Sequence, residues 1–103
     1  MSVSFSWSIN RPLVRLGDSR DCFAGDVSIG ELRLNYDRTI TAQRYGYSAD
    51  FDRGRVRRVI SAEKQFESED AARRWIARHA QSAVIALSAA TDTLVDTLFG
   101  VTA

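Results

Sequence analysis

At Phe66 the spacing of apolar residues changes. Before it they recur at every second position, as in Val3, Phe5, Trp7 and Ile9 or in Tyr45, Tyr47, Ala49 and Phe51. After Ser68 they recur at every third or fourth, through Ala72, Trp75, Ile76, Ala80, Ala83, Val84, Leu87, Leu94, Val95 and Leu98. A period of two lines one face of a strand, and a period near 3.6 lines one stripe of a helix. The switch predicts an α+β fold: an antiparallel β-sheet of about four to five strands packed on one long or broken C-terminal helix. With 103 residues this is a single domain, 1–103, with the sheet in 1–66 and the helical segment in 67–100.

The sheet can be read in some detail. Val3 to Ile9 form a strand at or near a sheet edge, closed by Pro12, which has no N–H to donate. Leu13 to Leu16 resume a short strand, and Gly17-Asp18-Ser19 and Gly25-Asp26 are turns. Val27 and Ile29 alternate in odd phase while Leu32, Leu34 and Tyr36 alternate in even phase, which predicts a β-bulge near Gly30-Glu31 or two short strands joined there. Leu32 to Tyr36 and Thr39 to Gln43 form a hairpin around Asp37. A second hairpin spans Arg44 to Phe66 about a loop at Asp52-Arg53-Gly54-Arg55. Setting Phe51 opposite Val56 aligns Tyr47 with Ile60 and Tyr45 with Ala62, and brings Asp50 opposite Arg57 and Arg44 opposite Glu63.

Ser68 is a helix N-cap, with Glu69 and Asp70 in the first turn where the helix dipole favours negative charge. Gly100 supplies a stop. Unbroken, a helix from Glu69 to Phe99 would be about 45 Å long, longer than a compact domain of this size is wide, so it breaks or projects. One expectation is a break near Ser88 to Thr91, with Thr91-Asp92 capping a second helix. The other is that the small and apolar stripe Ala80, Ala83, Val84, Leu87, Ala90 and Leu94 forms a helix-to-helix homodimer interface.

The catalytic repertoire is thin, and an enzyme is not expected. Cys22 is the single cysteine and His79 the single histidine. Neither a metal nor a cofactor is predicted, because no Cys/His cluster and no glycine-rich phosphate loop is present. No basic, apolar leader opens the chain, and the most apolar window is too short to span a bilayer, which predicts a cytoplasmic protein with no membrane partner. All of the fourteen basic residues except Lys64 are arginine, against a net charge of +1. Arg44, Arg53, Arg55, Arg57, Arg58 and Lys64, interleaved with Tyr45, concentrate on the second hairpin. That surface suits protein contacts through planar guanidinium groups, or alternatively nucleic-acid contacts through a basic ribbon with aromatics.

The step Phe66, Ser68, Ala72, Trp75 and Ile76, read as F-x-S-x-x-x-A-x-x-W-I after a hairpin, resembles two groups of proteins. One is the collection of small phage and mobile-element proteins that includes anti-CRISPR proteins. That resemblance implies a protein-binding inhibitor or modulator of a host protein or ribonucleoprotein complex, such as a CRISPR effector. The other is the three-strand-plus-helix arm-binding domain of tyrosine integrases, which implies a nucleic-acid-binding module using the arginine-rich hairpin. A phage structural or assembly subunit is a third expectation.

Overall fold

The computed structural model describes Ser6–Trp7 and residues 13–99. Among the described residues alternation produces five antiparallel strands whose order in the sheet follows the chain: β1 (Ser6–Trp7), β2 (Ser19–Ala24), β3 (Val27–Leu34), β4 (Ile40–Asp50) and β5 (Arg55–Phe66). The helical period produces α1 (Glu69–Ala77) and α2 (Ala80–Phe99). The fold is therefore α+β, with four long strands, a two-residue edge pairing at β1, and a long C-terminal helix. Of the strand expected at Val3 to Ile9, only Ser6–Trp7 is described, and it pairs with Phe23 and Cys22 of β2. The rest of that strand and the stop at Gly100 lie outside the described residues.

Leu13 to Leu16 do not form a strand. The Asp18 carboxylate accepts from the Arg15 N–H at 2.9 Å and the Val14 N–H at 3.4 Å, folding the segment into a turn that Gly17 completes at φ +88°. These hydrogen bonds hold the Asp18 carboxyl below its ordinary pKa, that from Arg15 most of all. The bulge foreseen at Gly30-Glu31 falls at Ile29: Cys22 pairs with Gly30 but Phe23 pairs with Ser28, leaving Ile29 as the extra residue. The bulged residue Ile29 and its neighbour Gly30 are both buried.

The long hairpin has a four-residue loop, as expected, but begins one residue earlier. Asp50 pairs with Arg55, Ala49 with Val56, Tyr47 with Arg58 and Tyr45 with Ile60. Two local features set this register. Gly54 takes φ +64° at the end of the loop, and the Asp50 carboxylate accepts from the Arg53 N–H at 3.3 Å. The predicted pairs Asp50 with Arg57 and Arg44 with Glu63 are therefore replaced. Further down, the register slips at Ser61, whose hydroxyl donates to the Arg44 carbonyl at 3.2 Å, so that Arg44 faces Ala62 and Gln43 faces Glu63. A bulge reverses which face a side chain takes. Ile60 and Ala62, expected together, end up on opposite faces.

One face of the sheet carries the helices. Cys22, Ala24, Ile29, Leu32, Ile40 and Ala42 form the core with Ala72, Ile76, Ala80 and Ala83. So many alanines bring helix and sheet close. Gly30 leaves room for that approach: a Cβ there would run into the Gln43 carbonyl oxygen of the neighbouring strand and lie 3.2 Å from Ile76 Cγ2 of α1. Ser68 caps α1 as predicted, its hydroxyl accepting from the Ala71 N–H at 3.1 Å, and Glu69 reaches Arg73 at 2.7 Å.

The helical segment does break, but at Arg78-His79 and not near Ser88 to Thr91, which lie within α2. In a continuous helix the His79 N–H would bond the Trp75 carbonyl. It bonds the Ile76 carbonyl at 2.9 Å instead, and the Trp75 carbonyl accepts from the Arg44 guanidinium at 2.6 and 3.2 Å. Beyond the break, Nε2 of His79 lies 2.8 Å from the Tyr45 carbonyl oxygen. A carbonyl only accepts, so Nε2 carries the proton.

From there α2 runs beside the hairpin towards its loop, where a Cβ on Gly54 would lie 3.7 Å from Leu98 Cδ1. Hairpin and helix together stretch the molecule to 50 Å along its longest axis, with a radius of gyration of 15.5 Å, against about 13 Å for a compact domain of this length. The stripe expected to mediate a homodimer is turned inwards by this arrangement. Ala80, Ala83 and Ala90 are buried within the chain, and Val84, Leu87 and Leu94 are half-buried. The outward face of α2 carries Ile85, Ser88, Asp92 and Val95.

Candidate partner-binding surface

The residues predicted to form a binding surface separate into three groups once folded. Arg44 and Tyr45 are structural. The Arg44 guanidinium lies 3.9 Å from the centre of the Trp75 ring and donates to the Trp75 carbonyl. Burial holds its pKa below the ordinary arginine value, with Arg78 adding to the shift. Tyr45 is 5% exposed, and its hydroxyl meets the Glu31 carboxylate at 3.5 Å. Burial foremost, then the Glu31 charge, pushes its phenol up to about 12. Neither residue presents itself to a partner.

Arg58, Arg53 and Lys64 are exposed but tethered. Arg58 stacks over the Tyr45 ring at 4.2 Å and donates to Ser28 Oγ at 3.4 Å. Beside it the Tyr47 hydroxyl donates to the Ser28 carbonyl. Arg53 lies 3.9 Å from the Asp50 carboxylate, and the Lys64 ammonium lies 5.3 Å from the centre of the Phe66 ring. These contacts hold side chains in place while leaving their charge at the surface.

Arg55 and Arg57 form the third group. Both are exposed, and among the described residues neither guanidinium has a hydrogen bond or ion pair within the chain. Alternation puts them on one face of β5, and Arg57 borders a hollow of about 300 Å³ with Ser48, Ala49, Asp50, Phe51 and Asp52. Phe51 is 47% exposed, and Leu98 at the end of α2 is 48% exposed beside Gly54. The end of the hairpin thus combines two unpaired guanidinium groups with an aromatic and an aliphatic side chain. Phe51 was expected to continue the buried face of its strand. The earlier start of the loop moves it to the surface, and Asp50, a residue type that accepts from backbone N–H groups in turns, was the available signal.

The face of the sheet away from the helices carries a second hollow, of about 170 Å³, lined by Glu31, Arg33, Asn35, Thr41, Gln43 and Glu63. Its groups largely satisfy one another. Asn35 Nδ2 donates to Thr39 Oγ1 and Thr41 Oγ1 at 3.1 and 2.7 Å, Gln43 donates to Glu63 at 3.4 Å, and Arg33 lies 3.6 Å from Glu31. Cys22 is fully buried, and burial raises its thiol pKa further from the range of a reactive thiolate. Among the described residues no group of three or more His, Cys, Asp and Glu side chains is placed to hold a metal ion, and no helix is long and apolar enough to cross a membrane.

No protein-family model, curated protein or solved structure matches the chain.

Proposed function

We propose that this protein is a non-enzymatic binding protein that docks on another protein through the loop end of the β4–β5 hairpin. The observation that carries the reading is the pairing of unpartnered Arg55 and Arg57 with exposed Phe51 and Leu98. Arginine and aromatic side chains around a partly apolar centre are the composition of protein interfaces and supply most of their hot spots. A nucleic-acid ribbon needs several free cations and accessible aromatic faces. Here Tyr45 is buried under Arg58, and Arg44 is committed to Trp75, which leaves that alternative with fewer of its elements. The resemblance to small phage and mobile-element proteins suggests a host complex of the CRISPR-effector type as the target, with modulation or inhibition by occupancy as the effect.

The test compares the wild-type chain with R55E/R57E. The proposal expects a defined set of host proteins retained by the wild type and lost by the double variant, with the same thermal midpoint for both. It also expects no mobility shift of duplex DNA or RNA at low salt. A low-salt shift abolished by R55E/R57E, with no protein retained, would establish the nucleic-acid alternative instead.

A further inference from the structure

The strand that carries Arg55 and Arg57 is the last in the sheet. Among the described residues nothing pairs with the outer edge of β5, although it is twelve residues long. Alternate N–H and C=O groups along such an edge point away from the sheet and can pair with another strand. The opposite edge, β1, is a two-residue pairing. An open edge of this length needs protection, and β5 has it in its charges: Arg55, Arg57, Arg58 and Lys64 against Glu63 alone.

That charge pattern discriminates between occupants. Two copies of β5 joined antiparallel about their middle, with Arg58 opposite Glu63, would also set Arg57 opposite Lys64 in both halves. Like charges directly opposite are destabilising. Shifting by one residue to set Arg57 opposite Glu63 fails differently, because the Ser61 bulge has put those two side chains on opposite faces. A second copy of this chain is therefore disfavoured. A strand bearing carboxylates on the face of Arg55 and Arg57 meets Arg55, Arg57 and Lys64 there and no carboxylate; on the other face Arg58 is accompanied by Glu63. Ile60, 56% exposed beside Arg58, offers one apolar contact near the middle of the edge.

We infer that β5 receives an extended acidic segment of a partner protein by strand addition. The inference rests on the protein-binding reading above and specifies how the partner is held: backbone pairing along β5 supplies affinity, and the arginines select for acidic sequence.

The experiment uses the full chain and a synthetic peptide matched to β5 in length, in which Glu alternates with Thr and one Val replaces the central Thr. Its control has Lys at every Glu position. Amide hydrogen exchange reports pairing directly. The Glu peptide is expected to bind and to slow exchange of the outward amides of β5 by about tenfold or more at saturation, while the Lys peptide does not bind. R55E/R57E is expected to weaken the Glu peptide by roughly tenfold, as loss of two exposed ion pairs implies. Failure of the Glu peptide to bind, equal binding of the Lys peptide, or binding without protection of β5 would each overturn strand addition. Loss of host-protein retention in R55E/R57E would still uphold the docking reading in those cases, so the two fail separately.

Discussion

The Arg44 guanidinium takes the carbonyl of Trp75 that the helical N–H of His79 would otherwise use. One side chain from the sheet thereby ends α1 and fixes the direction in which α2 leaves it. Loss of the stacked cation and of hydrogen bonds to a helix carbonyl should cost about 2 kcal/mol in Arg44→Ala. Arg44→Lys should recover less than half of this, since an ammonium keeps the charge but not the planar, two-nitrogen contact. Urea denaturation followed by Trp fluorescence measures both; an unchanged midpoint in Arg44→Ala would show that the helix break has another cause.

Gly30 is where α1 meets the sheet. Gly30→Ala would bring a methyl group against the Gln43 backbone carbonyl and Ile76, neither of which can withdraw freely. The expected cost is about 2–3 kcal/mol, typical of overpacking. Pairing it with Ile76→Ala should not restore stability, because the carbonyl conflict remains. Thermal unfolding by circular dichroism decides this.

The two faces of α2 should respond differently to charge. Ala83→Glu places a carboxylate in the core that Ala83 shares with Ala42 and Leu32 and should prevent stable folding. Ile85→Glu lies on the outward face, where Ile85 is 59% exposed, and should change stability by no more than about 0.5 kcal/mol. Equal loss in both would mean that the outward face is also covered, by a second chain, and sedimentation would then show an oligomer.

Tyr45 makes stability sensitive to alkali. Its phenol is held neutral in the fold up to about 12 by burial and by Glu31, whereas in the unfolded chain it ionises near 10. The folded state therefore keeps its proton more tightly. The corresponding stability is fully present below pH of about 10 and is lost as pH rises towards 12. Denaturation midpoints measured across that interval should fall in the wild type and fall less steeply in Tyr45→Phe; parallel decline in the two would assign the effect to other groups, among them Tyr47, whose phenol burial also raises.

Much of the fold was legible because it is written locally. The change of apolar period at Phe66, the cap at Ser68 and the acidic first turn of α1 each depend on residues close in sequence, and each is found as read, while the hairpin loop keeps its four-residue length but starts one residue earlier, at Phe51. The phase change in β3 likewise announced its bulge, to within a residue.

What sequence could not determine is what distant residues do to one another. The bulge at Ser61 reassigns the second half of β5 to the opposite face, and no break in the local pattern was sharp enough to place it. The helix ends at Arg78 without a glycine or proline because a β4 arginine claims a carbonyl there. Ala80, Ala83 and Ala90 look like an interface awaiting a second chain until the sheet of the same chain covers them. The basic cluster was visible as composition, but composition does not distinguish an arginine stacked on Trp75 or Tyr45 from one left without a partner. Only the folded chain assigns Arg44, stacked on Trp75 of α1, and Tyr45, covered by Arg58 on the other face of the sheet, to the scaffold and leaves Arg55 and Arg57 at the surface, because charge is a property of a residue whereas availability depends on everything folded around it.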